Sequence, residues 1–185
     1  MKNKQKRRSC VDVDFILIRK MKRGEQDAFD LFIHKYYGII LNYCGYHCFD
    51  RAMAEDLTQE TFLRFFENLS EFQSMGKSLN YLYTIAGNLC RDYYRKRQRA
   101  VIDDFSDETR EEIINERSDE IINKIIVEEA IEQLPNELKE VVILYYFQGC
   151  KLLEIANVLH IGLPLVKYRI RQAKTKLKKI MEDDE

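Results

Sequence analysis

The chain has 185 residues, and its thirty Lys and Arg nearly cancel its thirty-one Asp and Glu. With 45% hydrophobic residues but only two Pro and seven Gly, the composition suits one medium or two small helical cores and argues against a many-turned sheet. The five cysteines are odd in number and scattered, no apolar run approaches transmembrane length, and the basic start lacks the long apolar run of a secretory signal. The expectation is a reduced, cytoplasmic, soluble all-α protein with no membrane contact.

In chain order, Phe15 to Cys44 carries apolar residues at three- and four-residue spacing and reads as a helix, with a break expected around Gly45 to Arg51. A second helix is expected over about Ala52 to Leu69. On its wheel Leu57, Thr61, Phe62, Phe65, Phe66 and Leu69 cover one side. Asp56, Gln59, Glu60 and Glu67 cluster on the other, with Leu63 among them, and an apolar residue inside an acidic stripe suits a protein contact. A polar loop, Ser70 to Ser78, leads to a third helix from Leu79 to Arg99. There Leu82, Ile85, Ala86, Leu89 and Tyr93 face inward, while Tyr81, Thr84, Asn88, Arg91 and Arg95 form an outward stripe of the kind that suits unpaired bases and phosphates.

The near-neutral total hides segregated charge. Arg91 to Arg99 is basic, and Asp103 to Glu120 carries nine carboxylates and reads as an acidic linker. Val166 to Lys179 holds seven basic residues and no acidic one. The second compact unit is expected as helices over Lys124 to Gln133, Asn136 to Gln148, Leu152 to Leu159 and Leu163 to Met181, with Pro135 starting one helix and Gly149 stopping it. Leu152, Ile155, Ala156 and Leu159 give a short helix one apolar face. After the turn His160-Ile161-Gly162, Val166, Ile170, Ala173 and Leu177 give a longer helix its stripe. This is the helix-turn-helix pattern. It leaves Leu165, Tyr168, Arg169 and Gln172 outward, flanked by Lys167, Arg171, Lys174 and Lys176, an arrangement suited to base edges and phosphates in a DNA major groove.

Two other readings compete, a metal-dependent nucleic-acid enzyme and an autonomous regulator. Cys44, His47 and Cys48 form a C-x2-H-C group, but zinc closure needs a further ligand. No Gly-rich phosphate loop or nucleophile motif appears, so neither a catalytic residue, a metal site nor a cofactor is expected. An autonomous helix-turn-helix regulator binding duplex DNA is the nearer alternative.

The segment LPNELKEVVILYYFQGCKLLEIANVLHIGLPLVKYRIRQAKTKL resembles the C-terminal promoter-reading domain, region four, of bacterial sigma factors of the extracytoplasmic-function (ECF) type. AEDLTQETFLRFFENL, Ala54 to Leu69, is similar to the family's region two segment that grips core polymerase. YLYTIAGNLCRDYYRKR, Tyr81 to Arg97, is similar to the segment that opens and reads the upstream promoter element. The resemblance implies a region two domain over 10–99, a linker over 100–123 and a region four domain over 124–182. It implies that Asp56, Gln59, Glu60, Leu63 and Glu67 dock on the clamp helices of the largest polymerase subunit. It further implies that the third helix and the loop before it capture the opened non-template strand, and that the linker threads the polymerase channel. Core RNA polymerase and promoter DNA are the implied partners, with an anti-sigma protein as a further one. The sequence departs from the family at His160 for Gly, Gly162 for Ser, Pro164-Leu165 for Gly-Thr and Tyr168 for Ser, and at Tyr81 for Trp and Gly87 for Arg. The changes from Pro164 to Tyr168 fall where bases would be read.

Overall fold

The computed structural model describes residues 13–48, 50–73, 78–103 and 127–183. The acidic stretch from Asp104 onward and loop residues 74–77 lie outside them. Among the described residues every regular element is helical: α1 over 13–21, α2 Gln26–Cys48, α3 Arg51–Glu67, α4 Ser78–Asp103, α5 over 127–132, α6 Asn136–Val142, α7 Leu152–Val158 and α8 Leu163–Asp183. The protein is an all-α fold of two compact units. One gathers the chain to Cys90 with Asn157–Leu159, and the other gathers Arg91–Ala156 and His160–Glu185.

In the first unit, α2 and α3 pack through aromatic side chains. Phe32 is fully buried and stacks on Phe65 at 4.7 Å, with Phe62, Phe66 and Tyr36 set edgewise around it. Burying each such ring contributes about 1.5–3 kcal/mol. The continuous helix expected from Phe15 to Cys44 is interrupted: Gly24 adopts φ +79° and turns the chain between α1 and α2. The apolar spacing runs across this turn, so periodicity alone hides it. α1 is pinned to α2 by the buried Asp14, which accepts from Tyr36 Oη and Lys35 Nζ. The break expected at Gly45 falls later. α2 runs through Gly45 to Cys48, and Asp50 then caps α3 by accepting from the Met53 backbone N–H at 3.2 Å.

In the second unit, α6 does not continue as one α-helix to Gln148. It passes into a π-helical turn, Ile143–Phe147, where the Gln148 N–H donates to the Ile143 carbonyl at 3.0 Å. Gly149, at φ +62°, ends the element. The turn between α7 and α8 has His160 at φ +53° with the Ile161 N–H donating to the Ala156 carbonyl at 3.0 Å, the hydrogen bond that closes a left-handed helix end. A left-handed conformation costs a non-Gly residue roughly 1–2 kcal/mol. Gly162 caps α8 without a side chain, and an added Cβ there would lie 3.7 Å from Pro164 Cδ, an ordinary contact. His160→Gly is therefore expected to raise unfolding stability by about 1 kcal/mol, and Gly162→Ser by a few tenths of a kcal/mol. Urea denaturation of the two variants beside wild type checks both. A loss of stability in His160→Gly would mean that the imidazole supplies more than the turn requires.

Candidate functional site

Three surfaces carry the residues singled out from the sequence. On α3 the expected division of faces is present. Leu57, Thr61, Phe62, Phe65 and Leu69 are buried, as is Thr58. Asp56, Gln59 and Glu67 are exposed and Glu60 is half-buried, while Leu63 stands 58% exposed among them. Thr58 and Thr61 sit on the inner side because each hydroxyl donates to a carbonyl one turn back, at 2.7 Å. Glu60 accepts from Arg64 Nε at 2.7 Å, an exposed i,i+4 pair that orders the stripe without burying its charge.

On α4 the inward set Leu82, Ile85, Ala86 and Leu89 is buried, joined by Tyr83 and Cys90. The outward stripe is less uniform than its wheel. Asn88, Arg91 and Arg95 are exposed. Tyr81 is half-buried, stacked on Phe72 at 5.0 Å and tilted against Phe65 at 6.0 Å. It is thus a prop between the loop after α3 and the start of α4, not a ring standing in solvent. Thr84 is half-buried and its hydroxyl donates to the Asn80 carbonyl at 3.1 Å and to the Val158 carbonyl at 3.2 Å. Arg95 pairs with Asp92. In the second unit, Arg91 Nε lies 2.8 Å from the Glu140 carboxylate, and the buried Lys139 donates to Tyr94 Oη at 2.9 Å. Burial pushes the Glu140 carboxyl above its usual range, with the charge and hydrogen bond of Arg91 opposing that rise.

On α8, Val166 and Ala173 are buried and Ile170 and Leu177 half-buried, so the expected stripe faces the unit's core. α6 packs against α8, and Ile155 and Ala156 of α7 are buried. The start of α7 is closed by Glu154, which accepts from the Lys151 N–H at 2.7 Å. Leu165, Lys167, Tyr168, Arg171, Gln172, Lys174 and Lys176 are all exposed. Two expected members of the face are committed elsewhere. The Arg169 side chain is only 20% exposed and its guanidinium lies 3.9 Å from Glu137 of α6. Lys174 lies over the ring of Tyr146 at 5.7 Å, and a hydrogen bond to that phenol raises its pKa. Gln172 Nε2 donates to Tyr168 Oη at 2.8 Å, one turn back on the exposed side.

Two features escape the sequence patterns. A groove of about 580 Å³ lies in the second unit, lined by Val127, Ile131, Val142, Tyr146, Leu177 and Met181 with Lys174 and Lys178 beside them. Its walls come from α5, the π-helical turn and the end of α8. The signal available was an apolar row continuing past Leu177 to Met181. The second feature is the fate of the C-x2-H-C group, which is core: Cys44, His47 and Cys48 are all buried. A hydrogen bond with Cys90 is the main influence lowering the Cys44 thiol's pKa, against the effect of burial. Cys48 donates to the Cys44 carbonyl at 3.0 Å, and His47 packs on the Tyr43 ring at 4.6 Å. Among the described residues no three His, Cys, Asp or Glu side chains surround a metal position, and no helix is long and apolar enough to cross a membrane.

Comparison with known proteins gives two family matches along the chain. Residues 32–100 match the Sigma-70 region 2 family and residues 124–177 match Sigma-70, region 4. The chain is 28% identical over 178 residues to the ECF RNA polymerase sigma factor SigW of Bacillus subtilis, covering 90% of this chain and 95% of SigW. It is 30% identical over 133 residues to the ECF RNA polymerase sigma factor EcfG of Rhodopseudomonas palustris, covering 71% of this chain and 72% of EcfG. Its fold is similar to that of the sigma factor RpoE solved with the anti-sigma factor NepR from Bartonella quintana, with a TM-score of 0.70 and 20% identity over 85% of this chain and 98% of that one.

Proposed function

We infer how the surfaces share the work in a chain that belongs to the ECF sigma factors of bacterial RNA polymerase and directs the core enzyme to specific promoters. The domains run over 10–99 and 124–182 with a linker over 100–123. The α3 stripe of Asp56, Gln59, Glu60, Leu63 and Glu67 docks on the clamp helices of the largest polymerase subunit. The observation that carries this is Leu63, a large apolar side chain 58% exposed among carboxylates. The basic face of α4, with Asn88, Arg91 and Arg95, receives the opened strand. Tyr81 and Thr84 act there as supports, a role that fits their half-buried setting. The exposed residues of α8 read the distal promoter element, and Lys167, Arg171 and Lys176 hold its phosphates.

No residue of this chain performs chemistry; RNA synthesis belongs to the core enzyme, and the protein works in the cytoplasm beside it. The acidic linker lies in the positively charged polymerase channel until growing RNA displaces it. An anti-sigma protein is a further proposed partner, by analogy with the RpoE complex.

An autonomous regulator would need none of the α3 stripe, so one experiment separates the readings. Purified core polymerase is supplied with randomised promoter DNA, with and without this protein. Promoter-specific transcripts only when the protein is present support the assignment. Tight, sequence-specific binding by the free protein with no effect on core transcription would support the regulator instead. In the same assay Lys176→Ala should weaken promoter binding evenly across sequences and reduce the salt dependence by about one phosphate contact. A changed sequence profile in that variant would move Lys176 from phosphate to base contact.

A further inference from the structure

We propose that Gln172, held by Tyr168, reads an adenine in the distal promoter element, and that Tyr168 is the positioning residue that sets this preference. The inference rests on the reading of α8 as the promoter-contacting helix. Its starting point is which side chains of that helix are still available. Arg169, by residue type the strongest base reader on the face, is largely covered and turned to Glu137. Lys174 is turned to Tyr146. Lys167, Arg171 and Lys176 are exposed and are assigned above to phosphates. Within the first three turns of α8, Tyr168 and Gln172 are the exposed uncharged polar side chains able to read a base edge, and they are joined at 2.8 Å.

The joint decides what Gln172 can offer. A free carboxamide has two N–H donors and one carbonyl acceptor, and it can turn over. Here one N–H is spent on Tyr168 Oη, which holds the amide plane and engages one of its two donors. What remains is a second N–H beside the carbonyl Oε1. In the major groove adenine presents an acceptor, N7, beside a donor, the N6 amino group, so the remaining pair fits both. Guanine presents two acceptors, N7 and O6, and its O6 would face Oε1. The pair therefore accepts adenine and rejects guanine. The Tyr168 hydroxyl retains its own proton, free for a neighbouring base or phosphate oxygen. Tyr168 stands where the family pattern has Ser, which is too short to span the turn to residue 172. The preference is accordingly a property of this chain's own pair.

The test is selection of promoter DNA randomised across the distal element by reconstituted holoenzyme, comparing wild type with Gln172→Glu and Tyr168→Phe. Both positions are exposed, and matching melting curves confirm that the variants fold. Wild type should enrich adenine at one position by about 5–150-fold over guanine, the range of one good bidentate contact. Gln172→Glu should move that position toward cytosine, whose N4 amino group a carboxylate accepts. Tyr168→Phe keeps the ring and charge but frees the second N–H, so the amino group can donate to both N7 and O6 of guanine, and the adenine-to-guanine ratio should fall by about tenfold. A Tyr168→Phe profile identical to wild type, or a Gln172→Glu variant that loses affinity without changing base preference, overturns the inference. If wild-type holoenzyme selects no sequence in the distal element at all, the reading of α8 itself fails and this inference with it. Selection that depends on other α8 residues removes only the inference.

Discussion

Leu63→Arg combined with Glu60→Lys should abolish assembly with core RNA polymerase while leaving the helical fold intact. Leu63 is 58% exposed, so a longer polar side chain there displaces water rather than core atoms. Among the described residues Glu60 pairs with Arg64 on the same helix, a pair worth about 0.3–0.5 kcal/mol. The folded chain should therefore lose less than about 1 kcal/mol. At an interface the same changes act differently. A central apolar anchor typically contributes 2 kcal/mol or more, and a reversed charge facing basic partners adds repulsion. Affinity for core should fall at least about a hundredfold. Titration of core with labelled protein, alongside circular dichroism, measures both quantities. Unchanged affinity with native helicity would remove this surface from the assignment.

Phe65→Ala should do the opposite, strongly destabilising the first unit while touching no partner. Phe65 is fully buried and meets Phe32, Phe66, Phe72 and Tyr81 at ring distances from 4.7 to 6.0 Å. Removing a buried phenyl group costs about 3–5 kcal/mol through lost burial and the cavity left behind. A domain's total stability is only about 5–15 kcal/mol, so the unit is left marginal. The effect should reach function because the same ring supports Phe72 and Tyr81, which join the loop after α3 to the start of α4. Thermal melts followed by circular dichroism, with limited proteolysis, should show a large drop for Phe65→Ala and a smaller one for Phe65→Leu. Equal melting temperatures for all three proteins would mean that the aromatic cluster is not what holds α3 to its neighbours.

The sequence by itself determined the fold class, the existence of nearly every helix and the inner faces of α3, α4, α7 and α8. Leu152, Ile155, Ala156 and Leu159 predict the inner side of α7, and Val166, Ile170, Ala173 and Leu177 that of α8; each of these side chains is buried or half-buried. The turn at His160 and the stop at Gly149 were legible too, because each follows from backbone geometry within a few residues. So was the exposed Leu63 in its acidic stripe. Such features are set by spacing along one helix, and spacing is written in the chain. Tertiary structure alone decided where helices divide when the apolar rhythm continues across a turn, as at Gly24, and where α6 gives way to a π-helical turn. It also decided the partners of long side chains. A wheel places Tyr81, Arg169 and Lys174 on a face to within a few tens of degrees. It does not contain Phe72, Glu137 or Tyr146, which come from other elements and draw those side chains aside. A flexible side chain can reach several neighbours from one Cα, and which one it meets is fixed by distances between elements that no local spacing encodes.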